Sequence, residues 1–185
     1  MKVGVFGGTF DPPHLGHLGL ARNALESGLV QEVWFVPCLT HRFRKKPASF
    51  ENRVAMCRLL VTGERYMKVS TIETRIDRPG YTLAMIENLQ TENPHTDFRL
   101  LAGTDIYHEK DKWFHYDKIE RLAPPIYVER KGVPSIPDTT LPGPMEVSSR
   151  ELRSQLSHGQ RPLDEVSREV MDYILKHRLY SLDSK

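Results

Sequence analysis

An apolar run from Val3 to Phe6, broken only by Gly4, stops at Gly7-Gly8. After a Thr-Phe-Asp-Pro-Pro turn, Leu15, Leu18, Leu20, Ala21, Ala24 and Leu25 recur at helical spacing up to Gly28. The first run suits a short buried strand ending at a backbone able to take unusual dihedrals, and the second predicts a helix with Gly28 at its C-terminal end. A strand that feeds a glycine turn and then a helix is how an α/β fold presents backbone N–H groups and a positive helix end to an anion. His14 and His17 stand three residues apart at or near the helix start, a spacing that puts both on one face. With the Thr9 hydroxyl they can converge on one phosphate. A zinc site normally requires a third or fourth protein ligand, and no nearby cysteine or carboxylate pair has suitable spacing. Neither G-x-G-x-x-G nor G-x-x-x-x-G-K-[ST] is present, which argues against a dinucleotide-dependent dehydrogenase and a P-loop enzyme.

The same alternation continues along the chain. Val33 to Val36, closed by Pro37, completes a βαβ unit. Further strands are expected over 67–72, 98–102, 125–128 and 145–147. Helices are expected from Phe50 to Val61 with Ser49 as N-cap, from Tyr81 to Leu89, around Ile119 and Leu122, from Ser148, and from Val166 to Leu175. The fold class is therefore α/β: a Rossmann-like, doubly wound, mainly parallel sheet of about six strands flanked by helices. Residues 1–185 form a single domain, with the C-terminal helical part from about 148 to 185 packed on it; this length buries about 70% of the unfolded surface without staples.

Parallel strands put ligands at their carboxyl ends, and three more stretches stand there. His41-Arg42-Phe43-Arg44-Lys45-Lys46 follows the second strand, either as a solvated basic loop or facing phosphate. Gly103-Thr104-Asp105 follows the fourth, where Asp105 can meet ribose hydroxyls or a magnesium-bound water, or simply cap the next helix. Ser148-Ser149-Arg150-Glu151-Leu152-Arg153 opens a helix, either as a capping box closed by Glu151 or as a second anion site with two hydroxyls and two arginines. Arg53, inside a helix, reads as a surface residue, and one aromatic of Trp113-Phe114-His115-Tyr116 is expected in the core.

Composition narrows the partners. Lys and Arg number 26 against 24 Asp and Glu, a net charge of +2, too balanced for nucleic-acid binding by bulk electrostatics. Cys38 and Cys57 form no Cys-x-x-Cys, consistent with a reducing cytoplasm. No run of 18 apolar residues is present and Met1 leads straight into a strand, so neither a membrane span nor an export leader is expected.

The Gly-Thr-Phe-Asp-Pro-Pro-His-Leu-Gly-His stretch resembles the G-T-F-D-P-x-H-x-G-H signature of the nucleotidyltransferase superfamily. Nearly the whole chain is similar to the nicotinate mononucleotide adenylyltransferases of bacterial NAD synthesis. The similarity includes His41 after a proline, Arg53, Asp77 to Thr82, Gly103 to Asp105, Trp113, Ser148 to Arg153 and the ending from Val166 to Tyr180. It implies adenylyl transfer from ATP to the 5′-phosphate of nicotinate mononucleotide, with His14, His17 and Arg153 as catalytic residues. ATP would meet Gly7, Gly8, Thr9, Phe10, His17, His41, Gly103, Asp105, Ser148, Ser149 and Arg153, and the mononucleotide Tyr81, Thr82, Trp113 and Arg42. Magnesium would arrive on the ATP phosphates, with no metal ligand from protein side chains, and the chain could form a homo-oligomer. Four positions depart from the family pattern: Arg42 replaces lysine, Met85 and Arg150 replace threonines, and Leu152 replaces isoleucine. The rival readings are another His-x-x-His adenylyltransferase, such as phosphopantetheine adenylyltransferase, and a nucleotide-binding regulatory module without catalysis.

Overall fold

A computed structural model describes residues 1–40, 47–130, 132–134, 136, 140–143 and 147–181. The first half runs β1 (Lys2–Gly8), α1 (Leu15–Glu26), β2 (Glu32–Pro37), α2 (Phe50–Leu60), β3 (Met67–Val69) and α3 (Thr82–Glu92). It continues through β4 (Asp97–Gly103), α4 (Thr104–Glu109), α5 (Tyr116–Leu122), β5 (Pro125–Val128), β6 (Thr140–Leu141), α6 (Ser149–Ser157) and α7 (Arg168–Lys176). The strands lie in the order β3-β2-β1-β4-β5-β6, and every neighbouring pair is parallel. This is the expected doubly wound α/β sheet: five strands of three to seven residues and a sixth of two.

Side chains alternate between two buried faces, as a sheet covered on both sides requires. Val33, Phe35, Leu101, Ile126 and Val128 pack with α1, α2, α6 and α7. Val3, Val5, Val36, Leu100 and Tyr127 pack with α3 and α5. The C-terminal helices thus complete one face of the core, with Leu152, Val170 and Ile174 each at most 1% exposed. From β1 the chain runs to β2 on one side and to β4 on the other, and a ligand crevice forms at such a switch point, outside the carboxyl ends of the strands.

Three local expectations are corrected. β3 stops at Val69, because Ile72 opens a 3₁₀ turn, Ile72–Thr74, and enters the core at 0% exposure. The sixth strand is Thr140–Leu141, pairing with Tyr127 and Val128. Val147 lies outside any strand, and residues 144–146 lie outside the described set. Ser148 is the N-cap of α6 but its side chain makes no cap bond, so the capping box with Glu151 does not form. The Ser49 cap of α2 does form, accepting from the Asn52 N–H at 3.3 Å, a bond of a kind worth about 1 kcal/mol.

Candidate active site

The loop between β1 and α1 is held from beneath. Arg53, 1% exposed, donates from Nη1 to the Thr9 carbonyl at 2.8 Å and from Nε to the Ala48 carbonyl at 3.0 Å. It is therefore a buried strut and not a surface residue. Asp11, 2% exposed, accepts on Oδ1 from the Ala48 N–H at 3.1 Å and from the Tyr180 hydroxyl at 2.7 Å. Phe10 takes φ +51°, a left-handed conformation unfavourable for a bulky residue, and its ring fills the space that a Cβ on Gly8 would enter at 3.0 Å. The strained turn persists because these contacts over-determine it.

His14 caps α1 in an extended conformation, and its ring lies 3.6 Å from that of His17 between centroids. Phe10 meets the His17 ring edge-on at 5.0 Å. His17 Nδ1 accepts from the His14 backbone N–H at 3.2 Å, which leaves the ring proton of a neutral imidazole on Nε2. Burial pushes the His14 pKa down to about 3, helped by the Arg130 guanidinium. His17 is also lowered well below its ordinary value, by burial first and then by His14 and Arg130. Both are neutral at pH 7, and a histidine this far depressed is a poor general base there. His14 Nδ1 is buried with no hydrogen-bond partner among the described residues.

A histidine kept neutral in the fold but free to charge when unfolded makes stability fall with acid. The unfolded state binds the proton below about pH 6.5, and the native state resists until about pH 3 for His14. Between these values each pH unit costs about 1.4 kcal/mol for His14. Urea denaturation of the unliganded chain should therefore show a loss from pH 7.5 to 5.5, and His14→Gln should remove about 1.4 kcal/mol of it. An unchanged pH slope in that variant would mean His14 titrates normally.

A cavity of about 1140 Å³ opens at the carboxyl ends of β1, β4 and β5, lined by Gly7, Gly8, Thr9, Phe10, His14, His17, Gly103, Arg130, Ser148, Ser149 and Arg150. Ser149 Oγ donates to the Pro12 carbonyl at 3.0 Å, and Arg153 Nη1 donates to the Asp11 carbonyl at 2.5 Å and lies 3.7 Å from Asp11 Oδ2. The head of α6 is thus docked on the loop that opens α1. At the end of β4, a Cβ on Gly103 would stand 2.3 Å from Asp105 Oδ1 and 2.6 Å from Arg130 Nε, so only glycine leaves room for that carboxylate and guanidinium, which lie 3.4 Å apart.

Residues 5–155 match the cytidylyltransferase-like family. A probable nicotinate-nucleotide adenylyltransferase of Anaeromyxobacter dehalogenans is 36% identical over 97% of this chain and 96% of its own length, and one from Myxococcus xanthus is 34% identical over 98% and 96%. The chain belongs to the nicotinate-nucleotide adenylyltransferase family, within the cytidylyltransferase-like group. Its fold matches that of Plasmodium falciparum nicotinic acid mononucleotide adenylyltransferase, solved in complex with NaAD and with APC. The TM-scores are 0.82 and 0.81, at 20% and 19% identity over 97% of this chain. Membership places the chain among the nucleotidyltransferases.

Against the family pattern, the structure brings together Gly7, Gly8, Thr9, Phe10, His14, His17, Gly103, Ser148 and Ser149 around one cavity. Asp105 stands at its Gly103 edge, in the first turn of α4. Arg153 reaches the same loop but turns toward Asp11. The Thr9 hydroxyl and Arg53 lie against the Cys38 thiol, which burial pushes up. Tyr81 lines a separate cleft of about 210 Å³ with Arg78 and Phe114, and Thr82 opens α3 beside it. Trp113 packs partly buried on the α3 and α5 face, edge-on to Tyr116 at 6.3 Å, while Phe114 is 51% exposed and edge-on to Tyr81 at 5.9 Å. Met85 is a core residue, with its Cε 3.9 Å from where a Gly7 Cβ would stand. His41 and Arg42 lie outside the described residues. No described helix is long and apolar enough to cross a membrane.

Sequence reasoning missed Arg130 and Glu73. Arg130 stands two residues past the end of β5, so the strand-end rule that flagged Asp105 could have found it. Glu73, 3% exposed, accepts from the Leu39 and Gly80 N–H groups at 3.2 and 2.6 Å, tying the exit of β2 to the turn before α3. Burial raises its pKa, and nothing local in the sequence signals the bond.

Proposed function

We propose that this chain transfers AMP from ATP to the 5′-phosphate of nicotinate mononucleotide, forming deamido-NAD and releasing pyrophosphate. The observation that carries the reading is the neutral His14 and His17 pair at the head of α1, facing a cavity shared with the head of α6. The acceptor phosphate is already an anion, so the reaction needs no general base, which fits two histidines depressed too far to act as one. What remains is to align two anionic groups and stabilise charge at the α-phosphate.

His17 Nε2–H donates to the α-phosphate oxygens, His14 stands beside it, and the Gly8 and Thr9 backbone borders the same space. Ser148, Ser149 and Arg153 serve the departing pyrophosphate, with His41. Asp105 and Gly103 take the ribose edge. ATP would enter as its magnesium complex, the ion supplying neutralisation of phosphate charge when bound. Tyr81, Thr82, Trp113 and Arg42 are assigned to the acceptor side, a reading supported for Tyr81 by the cleft it lines with Arg78 and Phe114.

The decisive assay follows pyrophosphate release from ATP and magnesium with nicotinate mononucleotide, nicotinamide mononucleotide or phosphopantetheine. Deamido-NAD should form fastest. Turnover only with phosphopantetheine, or with none of the three, would overturn the proposal. On the acceptor side, Trp113→Ala should raise KM for the mononucleotide about tenfold, the upper end of an aromatic contact, while KM for ATP moves less than about twofold. Equal shifts would return Trp113 to the core.

A further inference from the structure

The end of the chain returns to the phosphate loop. α7 finishes at Lys176, and Arg178 and Tyr180 then take left-handed conformations, φ +51° and +63°. The Leu179 N–H donates to the Ile174 carbonyl at 3.0 Å, so the turn is closed by the helix it leaves. This brings the Tyr180 hydroxyl to 2.7 Å from Asp11 Oδ1, across 169 residues of sequence. The other oxygen of that carboxylate lies 3.7 Å from Arg153 Nη1, which also donates to the Asp11 carbonyl.

Two further bonds tie the same C-terminal segment to the site. The Leu15 N–H, one residue past His14, donates to the Glu165 carbonyl at 2.9 Å, and the Tyr173 hydroxyl donates to Asn52 Oδ1 at 2.9 Å, beside the Arg53 strut. The Tyr180 ring packs against the α1, α2, α6 and α7 core, a role that phenylalanine would fill equally well. The hydroxyl itself has a separate use. It faces a carboxylate that is 2% exposed, where a directed donor fixes orientation more firmly than in water. Burial and the Asp11 charge push the phenol upward, so it stays a donor throughout the working pH range.

We infer that Tyr180 is a positioning residue of the active site: its hydroxyl orients the Asp11 carboxylate, and Asp11 in turn holds Arg153 in the geometry that meets the ATP polyphosphate. The inference rests on the function proposed above, specifically on Arg153 serving the β- and γ-phosphates. Its signature is selectivity. Loss of the hydroxyl should weaken ligands that carry those phosphates and spare those that lack them.

The test measures dissociation constants of the full chain for α,β-methylene ATP and for AMP by calorimetry. Tyr180→Phe should weaken the ATP analogue about fivefold, as loss of one ordinary hydrogen bond predicts, and AMP by less than about 1.5-fold. In an Arg153→Ala background, Tyr180→Phe should have no further effect on either ligand, because the residue through which it acts is gone. Asp11→Asn keeps an oxygen acceptor for Ala48 and Tyr180 but removes the charge facing Arg153, and it should reproduce the selective loss even if Tyr180→Phe fails to fold. Equal weakening of both ligands, or equal losses in both backgrounds, would make the hydroxyl structural and overturn the inference. An unsubstituted chain that binds no ATP analogue would overturn the proposed function itself.

Discussion

His17→Ala should lower kcat at least a hundredfold while leaving the far-UV circular dichroism and the cooperative unfolding transition in place. The magnitude follows from removing one preorganised donor from a site of developing phosphate charge, about 3 kcal/mol. The geometry makes His17 such a donor. Its Nδ1 accepts from the His14 N–H at 3.2 Å, so the remaining proton sits on Nε2. The rings of Phe10 and Phe6, with centroids at 5.0 and 5.7 Å, limit rotation of the imidazole. A donor fixed before the substrate arrives costs no reorganisation in the transition state, so the loss should fall mainly on kcat, with KM for ATP moving less than about threefold. His17→Gln, which can place an N–H near the same point, should recover part of the rate; a variant His17→Ala with near-normal turnover would remove this residue from the chemistry.

The site was legible where one stretch of chain both builds and displays it. Gly7-Gly8 and Gly103 punctuate buried strands, and the residues after them line the cavity, because parallel strands deliver their carboxyl ends to one edge. The spacing of His14 and His17 fixed their shared face without any tertiary information. What stayed hidden was whatever depends on a distant partner. Arg53 reads as a solvated charge on an amphipathic helix until the carbonyls of Thr9 and Ala48 are brought over its guanidinium. Nothing local to Tyr180 signals its bond until Asp11 meets it from the other end of the chain. Thr140 and Leu141 are too few to carry a strand pattern of their own, and they pair through their register with Tyr127 and Val128. Ser148 carries the sequence of a capping box, yet the pull of the Pro12 carbonyl on Ser149 and of Asp11 on Arg153 sets that helix start instead.

That docking of α6 on the phosphate loop makes Arg153→Ala the second large effect: kcat/KM for ATP should fall about a hundredfold, from loss of a charge-assisted contact to the leaving pyrophosphate. The arginine is 24% exposed and its guanidinium touches both the carbonyl and the carboxylate of Asp11, so it is held at the loop before substrate arrives. Two consequences separate a phosphate ligand from a structural brace. Arg153→Lys keeps the charge but not the planar fork, and should recover no more than about tenfold of the loss. Because the reverse reaction passes through the same transition state, pyrophosphorolysis of deamido-NAD should decline in parallel, and the affinity for pyrophosphate with it, while KM for the mononucleotide stays within about twofold. Removing a partner from a buried carboxylate also costs stability, about 1–2 kcal/mol in urea denaturation, too little to unfold a domain of ordinary stability. If the forward rate fell but pyrophosphate bound as tightly as before, Arg153 would be acting only through Asp11, and the polyphosphate would have to be held by Ser148, Ser149 and Arg150 at the head of the same helix.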